Sequence, residues 1–288
     1  MKFNALKQIL LSIFLIVVFG VFYLVGYLHE NWSGLSILAL IWLIGLGIIA
    51  LGVCIAERFG KKWAPVLIIG MLSGFTILAD LGCIKLTLIK LGSFELIAPA
   101  GSLLFAVLYF GGDYLNEFYG KRVAKINVYA GWLAKITVAF GMLFIIYIMQ
   151  SPSIPDIVET NQKFDELLSL GPRLNIASII AILIAGLVNV ELFSVLRILT
   201  RGKYLWLRSF VSSTTAIIVD NIVFTFGAFL FVIPTDTIWN MAWTTSAVHL
   251  SIALWAPIFI YILMFLKNKK IIGSQELLTI SKYERKKL

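Results

Sequence analysis

Charge is scarce in this sequence. Of its 288 residues only 14% are charged, against 60% hydrophobic, and the mean hydropathy is +0.96. An ordinary soluble domain has no use for that much apolar surface. Cysteine is nearly absent, and Cys54 and Cys83 both lie in apolar surroundings, which argues against a disulfide framework. Two histidines, His29 and His249, are too few and too far apart for a His-based site, so neither a metal nor a cofactor is expected. His249, on an apolar helix, reads as a packed or pore-lining residue. The phosphate-binding pattern Gly-x-x-x-x-Gly-Lys-Ser/Thr is missing, as are His-Glu-x-x-His and Gly-x-Ser-x-Gly. The chain is therefore not expected to hydrolyse ATP on its own, and it lacks these peptidase and hydrolase signatures.

What the sequence does have is a succession of continuous apolar runs, each about long enough for a transmembrane helix. They predict spans at about 9–28, 35–56, 63–88, 97–120, 126–149, 174–196, 209–233 and 243–266. The expected fold class is an all-α polytopic membrane protein of about eight transmembrane helices, with the lipid bilayer as its surroundings. The first run reaches Tyr27 without a small-residue cleavage site and reads as an uncleaved span rather than a signal peptide.

Basic residues fix an orientation. Lys2 and Lys7, Arg58 to Lys62, Lys121 to Lys125, Arg197 to Arg208 and the tail from Lys267 fall on one side, 19 of the 24 in all. The other side has only Lys90, Lys163 and Arg173, together with the acidic segment Asp156 to Glu166. Both termini are expected on the cytoplasmic side. Topology then accounts for the net charge of +9, and nucleic acid is not expected as a partner. In the longest outer loop, apolar residues at 157, 158, 164, 167, 168 and 170 predict a short surface helix or, nearly as well, a solvated connector. Trp63, Trp206, Trp239 and Trp243 stand at span ends, where indole rings favour headgroups.

The first two spans carry almost no ionisable side chain before Glu57 and read as additions outside a six-helix core. The expected division is residues 1–62 for the two extra helices, 63–268 for the core and 269–288 for a basic tail. Within the core, polar groups accumulate: Asp80, Lys85, Asp113, Asn116, Glu117, Tyr119, Lys135, Asn189, Glu191, Ser212 to Thr215, Asp220, Asn221 and His249. Ionisable groups in hydrocarbon are costly and mark a pathway or site by default. The bland alternative is mutual pairing between helices, for example Asp80 or Glu191 with Lys85 or Lys135. As a group, these residues point to a water-accessible cavity near the midplane. Asp113 is followed seven residues on by Gly120, and Asp220 by Gly227, in helices that run in opposite directions. Six helices in two inverted sets of three is a recurring transporter plan with its site at the repeat interface.

The segments Gly112-Asp-Tyr-Leu-Asn-Glu-Phe-Tyr-Gly120, Gly171-Pro-Arg with Ala177-Ser178 and Asn189, and Gly202-Lys-Tyr-Leu-Trp-Leu-Arg208 leading to Ser212 and Asp220 carry a resemblance. From about Asp80 to Pro257 their order and spacing are similar to the queuosine-precursor transporter family, also called vitamin uptake transporters of the YhhQ type. The resemblance implies a bacterial inner-membrane importer of a 7-deazaguanine: preQ0, preQ1 or queuine. Three positions depart from the family pattern. Asp80 stands in place of an Asn, Lys135 in place of a neutral polar residue, and Ile217 in place of a Gln.

A deazaguanine has a flat ring and an edge of adjacent N–H donors, which a carboxylate accepts with charge assistance while an aromatic face stacks on the ring. Asp113, Glu117 and Asp220 are the expected acceptors, and Phe110, Tyr114, Tyr119 or Phe226 the expected stacking partners. Asn189 and Ser212 are expected to meet the remaining polar atoms. Lys85 is expected to neutralise a carboxylate, and Asp80 to line the site. Of the carboxylates Asp113 is favoured. Glu117, one turn nearer the cytoplasm, also reads as a gate or loop-pairing residue. The expected activity is facilitated or secondary transport, with proton coupling through Glu117 or Asp220 left open and no catalytic residue. A substrate-capture subunit for a separate ATP-driven module, an intramembrane enzyme using Asp113 and Glu117, and a scaffold with charges as helix glue stay open at this point, as does a homo-oligomer.

Overall fold

The computed structural model describes residues 34–83, 85–91, 94–105, 107–149, 154–169, 171–269 and 271–272. The expected first span at 9–28 and the tail beyond residue 272 lie outside them. Helix α1 (Gly34–Ala56) runs into a 3₁₀ turn, Glu57–Phe59, and α2 (Ala64–Gly82) follows with Pro65 in its first turn. Proline is tolerated there because the first N–H groups of a helix have no intrahelical acceptor. Next comes an antiparallel hairpin of β1 (Leu86–Leu91) and β2 (Phe94–Pro99), in register from Leu86 opposite Pro99 to Leu91 opposite Phe94. Then follow α3 (Ala100–Phe105), α4 (Leu108–Tyr119), α5 (Lys121–Tyr147), α6 (Pro155–Ser169), α7 (Gly171–Leu199), α8 (Leu205–Phe229) and α9 (Thr235–Asn268).

Six of these helices, α1, α2, α5, α7, α8 and α9, are long and apolar enough to cross a membrane. The chain is a multi-pass helical membrane protein, as its composition requires. Two expected spans take a different form. The run read as 63–88 leaves the helix at Gly82, and its last residues pair in the hairpin. The run read as 97–120 is broken into β2, the six residues of α3 and the twelve of α4. At about 1.5 Å per residue neither short helix reaches across ~30 Å of hydrocarbon alone. Short apolar runs do not separate strand from helix by periodicity, and Gly92-Ser93 in the sequence suits a two-residue hairpin turn. The break also reflects a close crossing, since a Cβ on Gly101 would fall 1.7 Å from the carbonyl oxygen of Ala79. Only glycine lets α3 lie backbone to backbone on the end of α2. Non-continuous helix is tolerated at membrane depth when protein covers it, and residues 109–116 of α4 are all buried.

The interior is one large apolar cluster fed by α1, α2, α4, α7 and α9, including Leu46, Ile49, Ile68, Phe110, Tyr114, Phe193, Ile252 and Ile260. The buried apolar side chains described in α1 are Trp42, Leu46, Ile49, Val53 and Ala56. Their spacing of four, three, four and three is that of a single helix stripe packed on a neighbour. Leu43 and Ile55, on other faces of α1, are exposed. The outer surface is studded with large apolar side chains such as Phe140, Leu199, Leu254 and Phe265. In water they would be an aggregation hazard, whereas lipid tails meet them without penalty. The four expected anchor tryptophans, Trp63, Trp206, Trp239 and Trp243, are all exposed. The outer-loop segment forms the surface helix α6, with Ile157 and Phe164 exposed and a Glu159–Lys163 pair one turn apart.

Candidate functional site

The polar residues sort into three groups along the bundle. The first ties together the ends of α1, α4, α7 and α9 with the start of α8. Glu57 is 1% exposed, and its Oε1 accepts hydrogen bonds from Tyr114 Oη at 2.6 Å, Tyr119 Oη at 2.7 Å and Lys267 Nζ at 2.7 Å. The Lys267 ammonium also lies 4.5 to 5.4 Å from the ring centroids of Phe118, Tyr119 and Tyr114, a cation–π box. Alongside it, Glu117 Oε2 accepts from Arg208 Nη2 at 2.6 Å, with Arg197 Nε 4.0 Å away. Arg208 is fully buried and donates from Nη1 to the Lys203 carbonyl at 3.1 Å. Glu117 and Tyr119, both expected at the substrate, are thus spoken for by partners that hold helix ends together. Gly120, at φ +87°, ends α4 and lets the chain turn straight into α5.

The second group surrounds Asp113, which is completely buried. Its Oδ1 accepts from Asn189 Nδ2 at 3.0 Å, and its Oδ2 from Ser209 Oγ at 2.5 Å and Ser213 Oγ at 3.1 Å. Both carboxylate oxygens are engaged by α7 and α8. Ser212, between the two serines, instead donates to the Ser209 carbonyl at 3.3 Å. Phe110 is fully buried and packs edge-on against Phe259 at 6.1 Å, in the core. Next to Asp113 lies a cavity of about 520 Å³, counting the part open to its surroundings, bordered by Thr76, Leu108, Tyr109, Gly112, Asn127, Ile182 and Asn189.

The third group borders a second cavity of about 580 Å³, measured in the same way. Its walls include Asp80, Ser178, Asp220, Asn221, Phe224, Phe229 and His249. Lys135 Nζ sits 2.6 Å from Asp80 Oδ1 and donates to Ser178 Oγ, which in turn lies 3.0 Å from Asp80 Oδ1. Asp80 and Lys135 are therefore partners in one ion pair, Lys135 buried and Asp80 partly exposed. Asn221 Nδ2 donates to Ser246 Oγ at 3.0 Å and approaches His249 Nδ1 at 3.4 Å. Asp220 is different: its carboxylate lines the cavity, 9% exposed, and takes no hydrogen bond from any described residue. Phe105 borders both cavities, standing edge-on to Tyr109 with the Lys135 ammonium 4.9 Å from its ring.

Of the residues expected at the site, Asp80 and Asp220 share one cavity, and Asn189 borders the other with Asp113 behind it. Lys85 is exposed, and the cation that pairs with Asp80 is Lys135. Phe226 stacks edge-on to Trp239 at 4.8 Å, away from both cavities' linings. Glu191 is half-exposed between Lys121 and Lys125, outside the interior. Sequence reasoning passed over Tyr109, Asn127, Ser209 and the partnership of Glu57 with Lys267. Their significance lies in partners contributed from far along the chain, and no local pattern marks that. Among the described residues no three His, Cys, Asp or Glu side chains gather in a way that could hold a metal ion.

Two cavities inside a multi-pass helical bundle, each walled by apolar side chains and a few unpaired polar atoms, define a membrane transporter for a small solute. Residues 99–263 match the family described as "Putative vitamin uptake transporter", more than half of the chain, and the chain belongs to that family. A relative from Bacillus subtilis (strain 168), named "Probable queuosine precursor transporter", is 27% identical over 174 residues, covering 60% of this chain and 74% of its own. No solved structure matches the chain.

Proposed function

We propose that this transporter imports a queuosine precursor, a 7-deazaguanine such as preQ0, preQ1 or queuine, across a bacterial cytoplasmic membrane. The observation that carries the reading is the Asp220 carboxylate, the one acidic side chain of its cavity with no hydrogen-bonding or ion-pair partner among the described residues. An acceptor of this kind suits the adjacent N–H donors of a guanine-type edge. His249 supplies the complement. An amide NH₂ cannot accept, so the approach of Asn221 Nδ2 assigns the lone pair to His249 Nδ1 and the proton to Nε2. That Nε2 is buried without a partner among the described residues, a donor for the ring oxygen of an oxo-type base. Phe224, Phe229 and Phe105 offer flat faces for the ring.

Asp80 is taken up by Lys135 and Ser178, so Asp220 is the carboxylate left for the ligand. The relative's name supports this substrate, and the family supports transport of a small molecule. Both termini lie in the cytoplasm in this reading, supported by the basic loops, and the two inverted halves rock about the cavities. Asp113 is held by α7 and α8, while Asp220 of α8 and Asp80 of α2 line one cavity, so residues of both halves meet at each carboxylate. The two glycines of the spacing match do different work: Gly120 ends a helix at positive φ, whereas a Cβ on Gly227 would meet Ala177 at 3.0 Å. Helix α1, expected as an addition outside the core, packs into the main apolar cluster and is tied to α9 through Glu57 and Lys267, and the protein changes nothing chemically in its cargo.

The test is uptake of labelled preQ1 and queuine by cells that express this chain alone and lack their own synthesis and import. Accumulation of the modified tRNA base supports an autonomous importer. No accumulation, with accumulation restored by an ATP-driven partner module, would make the chain a capture subunit instead. Recovery of a chemically altered base would point to an enzyme.

A further inference from the structure

The cavity beside Asp113 is not needed to hold a base at Asp220, yet it carries three buried polar atoms without partners among the described residues: Tyr109 Oη, Asn127 Oδ1 and Asn189 Oδ1. Native interiors leave few such atoms dry, because each forfeits the hydrogen bonds it had in water. The orientation of Asn189 is set by its neighbour. Its amide nitrogen faces the Asp113 carboxylate at 3.0 Å, since the reverse orientation would oppose two acceptors. Its carbonyl oxygen is therefore the group left over for the cavity. Asp113, with both oxygens already accepting, acts as a positioning residue for that carbonyl rather than as a ligand contact.

Gly112 makes the space. A Cβ there would stand 3.9 Å from Asn189 Nδ2 and 4.0 Å from Asn127 Nδ2, so both amides border one bare patch of backbone. Leu108 and Ile182 contribute apolar wall. Two amide carbonyls and a phenol beside apolar walls suit a planar base edge with two or more N–H donors.

We propose that this cavity is a second binding station for the same class of base, parted from the Asp220 station by the ring of Phe105. The proposal rests on the substrate reading above. A cargo handed between two stations never has to lose all its hydrogen bonds at once, which is what a path through apolar helices otherwise demands.

The test is equilibrium dialysis of radiolabelled preQ0 and preQ1, each alone, against the full chain in lipid nanodiscs, with and without sodium. Two bases per chain are expected at saturation in the wild type. Asn127→Leu and, separately, Asp220→Asn should each lower this to one. Tyr109→Phe, the mildest change, should weaken one of the two sites by up to about tenfold and leave the other alone. One base per wild-type chain, with affinity unchanged in Asn127→Leu and Tyr109→Phe, overturns the second station and leaves the Asp220 site standing. The cavity would then hold water. One base per chain together with sodium binding that Asn127→Leu abolishes also overturns it, in favour of a cation site. Failure of the wild type to bind either base overturns the substrate reading and this proposal with it.

Discussion

Lys267→Met should unsettle this protein more than its place at the end of the last helix suggests. The ammonium is 5% exposed and lies 2.7 Å from Glu57 Oε1. At that separation, and at an effective dielectric of ~20, the attraction is about 6 kcal/mol. Much of it offsets the cost of taking two charges out of water, so the useful quantity is what one orphaned partner costs, about 3–5 kcal/mol. Glu57 would be poorly placed to absorb the loss. Its Oε2 already lacks a partner, and Oε1 would keep only the two tyrosine hydroxyls. Glu57→Gln should cost about the same by stranding the cation, tempered by the three aromatic rings around it. The double variant Glu57→Gln with Lys267→Met should recover most of the loss, because a neutral amide still accepts from both tyrosines. The measurement is reversible unfolding by SDS titration in mixed micelles for the four proteins of the cycle. A coupling of about 5 kcal/mol between the two sites is expected, the sum of two single losses of at least ~3 kcal/mol less a residual of ~1 in the double variant. Additive single losses would refute the reasoning, and with it the view that α1 is bound to α4 and α9 through a buried charge.

Other expectations follow from the same geometry. Asp220→Asn should leave folding intact, as judged by monodispersity and SDS resistance, and reduce uptake at least about tenfold through loss of one charge-assisted hydrogen bond. Asp113→Asn should instead lower stability by about 1–3 kcal/mol, because an amide nitrogen would face two serine hydroxyls that now donate to Asp113 Oδ2. Equal losses of stability in the two variants would contradict the assignment of separate roles. Gly101→Ala should cost about 1–3 kcal/mol or more by overpacking, since its Cβ would meet the Ala79 oxygen at 1.7 Å and the Cys83 nitrogen at 2.5 Å. A native melting profile for that variant would mean α3 can lift off α2 freely. Glu191→Gln should change stability by under ~1 kcal/mol and leave uptake at wild-type rates, because its pairs with Lys121 and Lys125 are solvent-exposed.

The sequence by itself determined the solvent. Hydrocarbon demands long runs in which every backbone group is bonded within its own helix, and such runs are local enough to read along the chain. Four of the six spanning helices of the described residues, α1, α5, α7 and α8, begin and end within about five residues of the apolar runs, α9 starts eight residues ahead of its run, and the segment after Met149 takes the helical one of its two expected forms. The sixth, α2, stops short at Gly82, and the neighbouring run breaks into α3 and α4. Both failures come from a contact between glycines 82 and 101 that no window of local sequence contains.

For the site the sequence could say which residues were expensive in a membrane but not which had partners. Asp113 and Asp220 look alike in the sequence, each a carboxylate on an apolar run with a glycine seven residues on. Only the tertiary structure separates them: Ser209, Ser213 and Asn189 close around the first, 76 to 100 residues away, and none of the described residues hydrogen-bonds to the second. The same holds for Glu57, whose cation is 210 residues distant, and for Asp80, whose cation is Lys135 on α5 rather than Lys85, five residues on. The cost of burying a charge is a property of the residue, whereas its compensation depends on which helices happen to lie alongside.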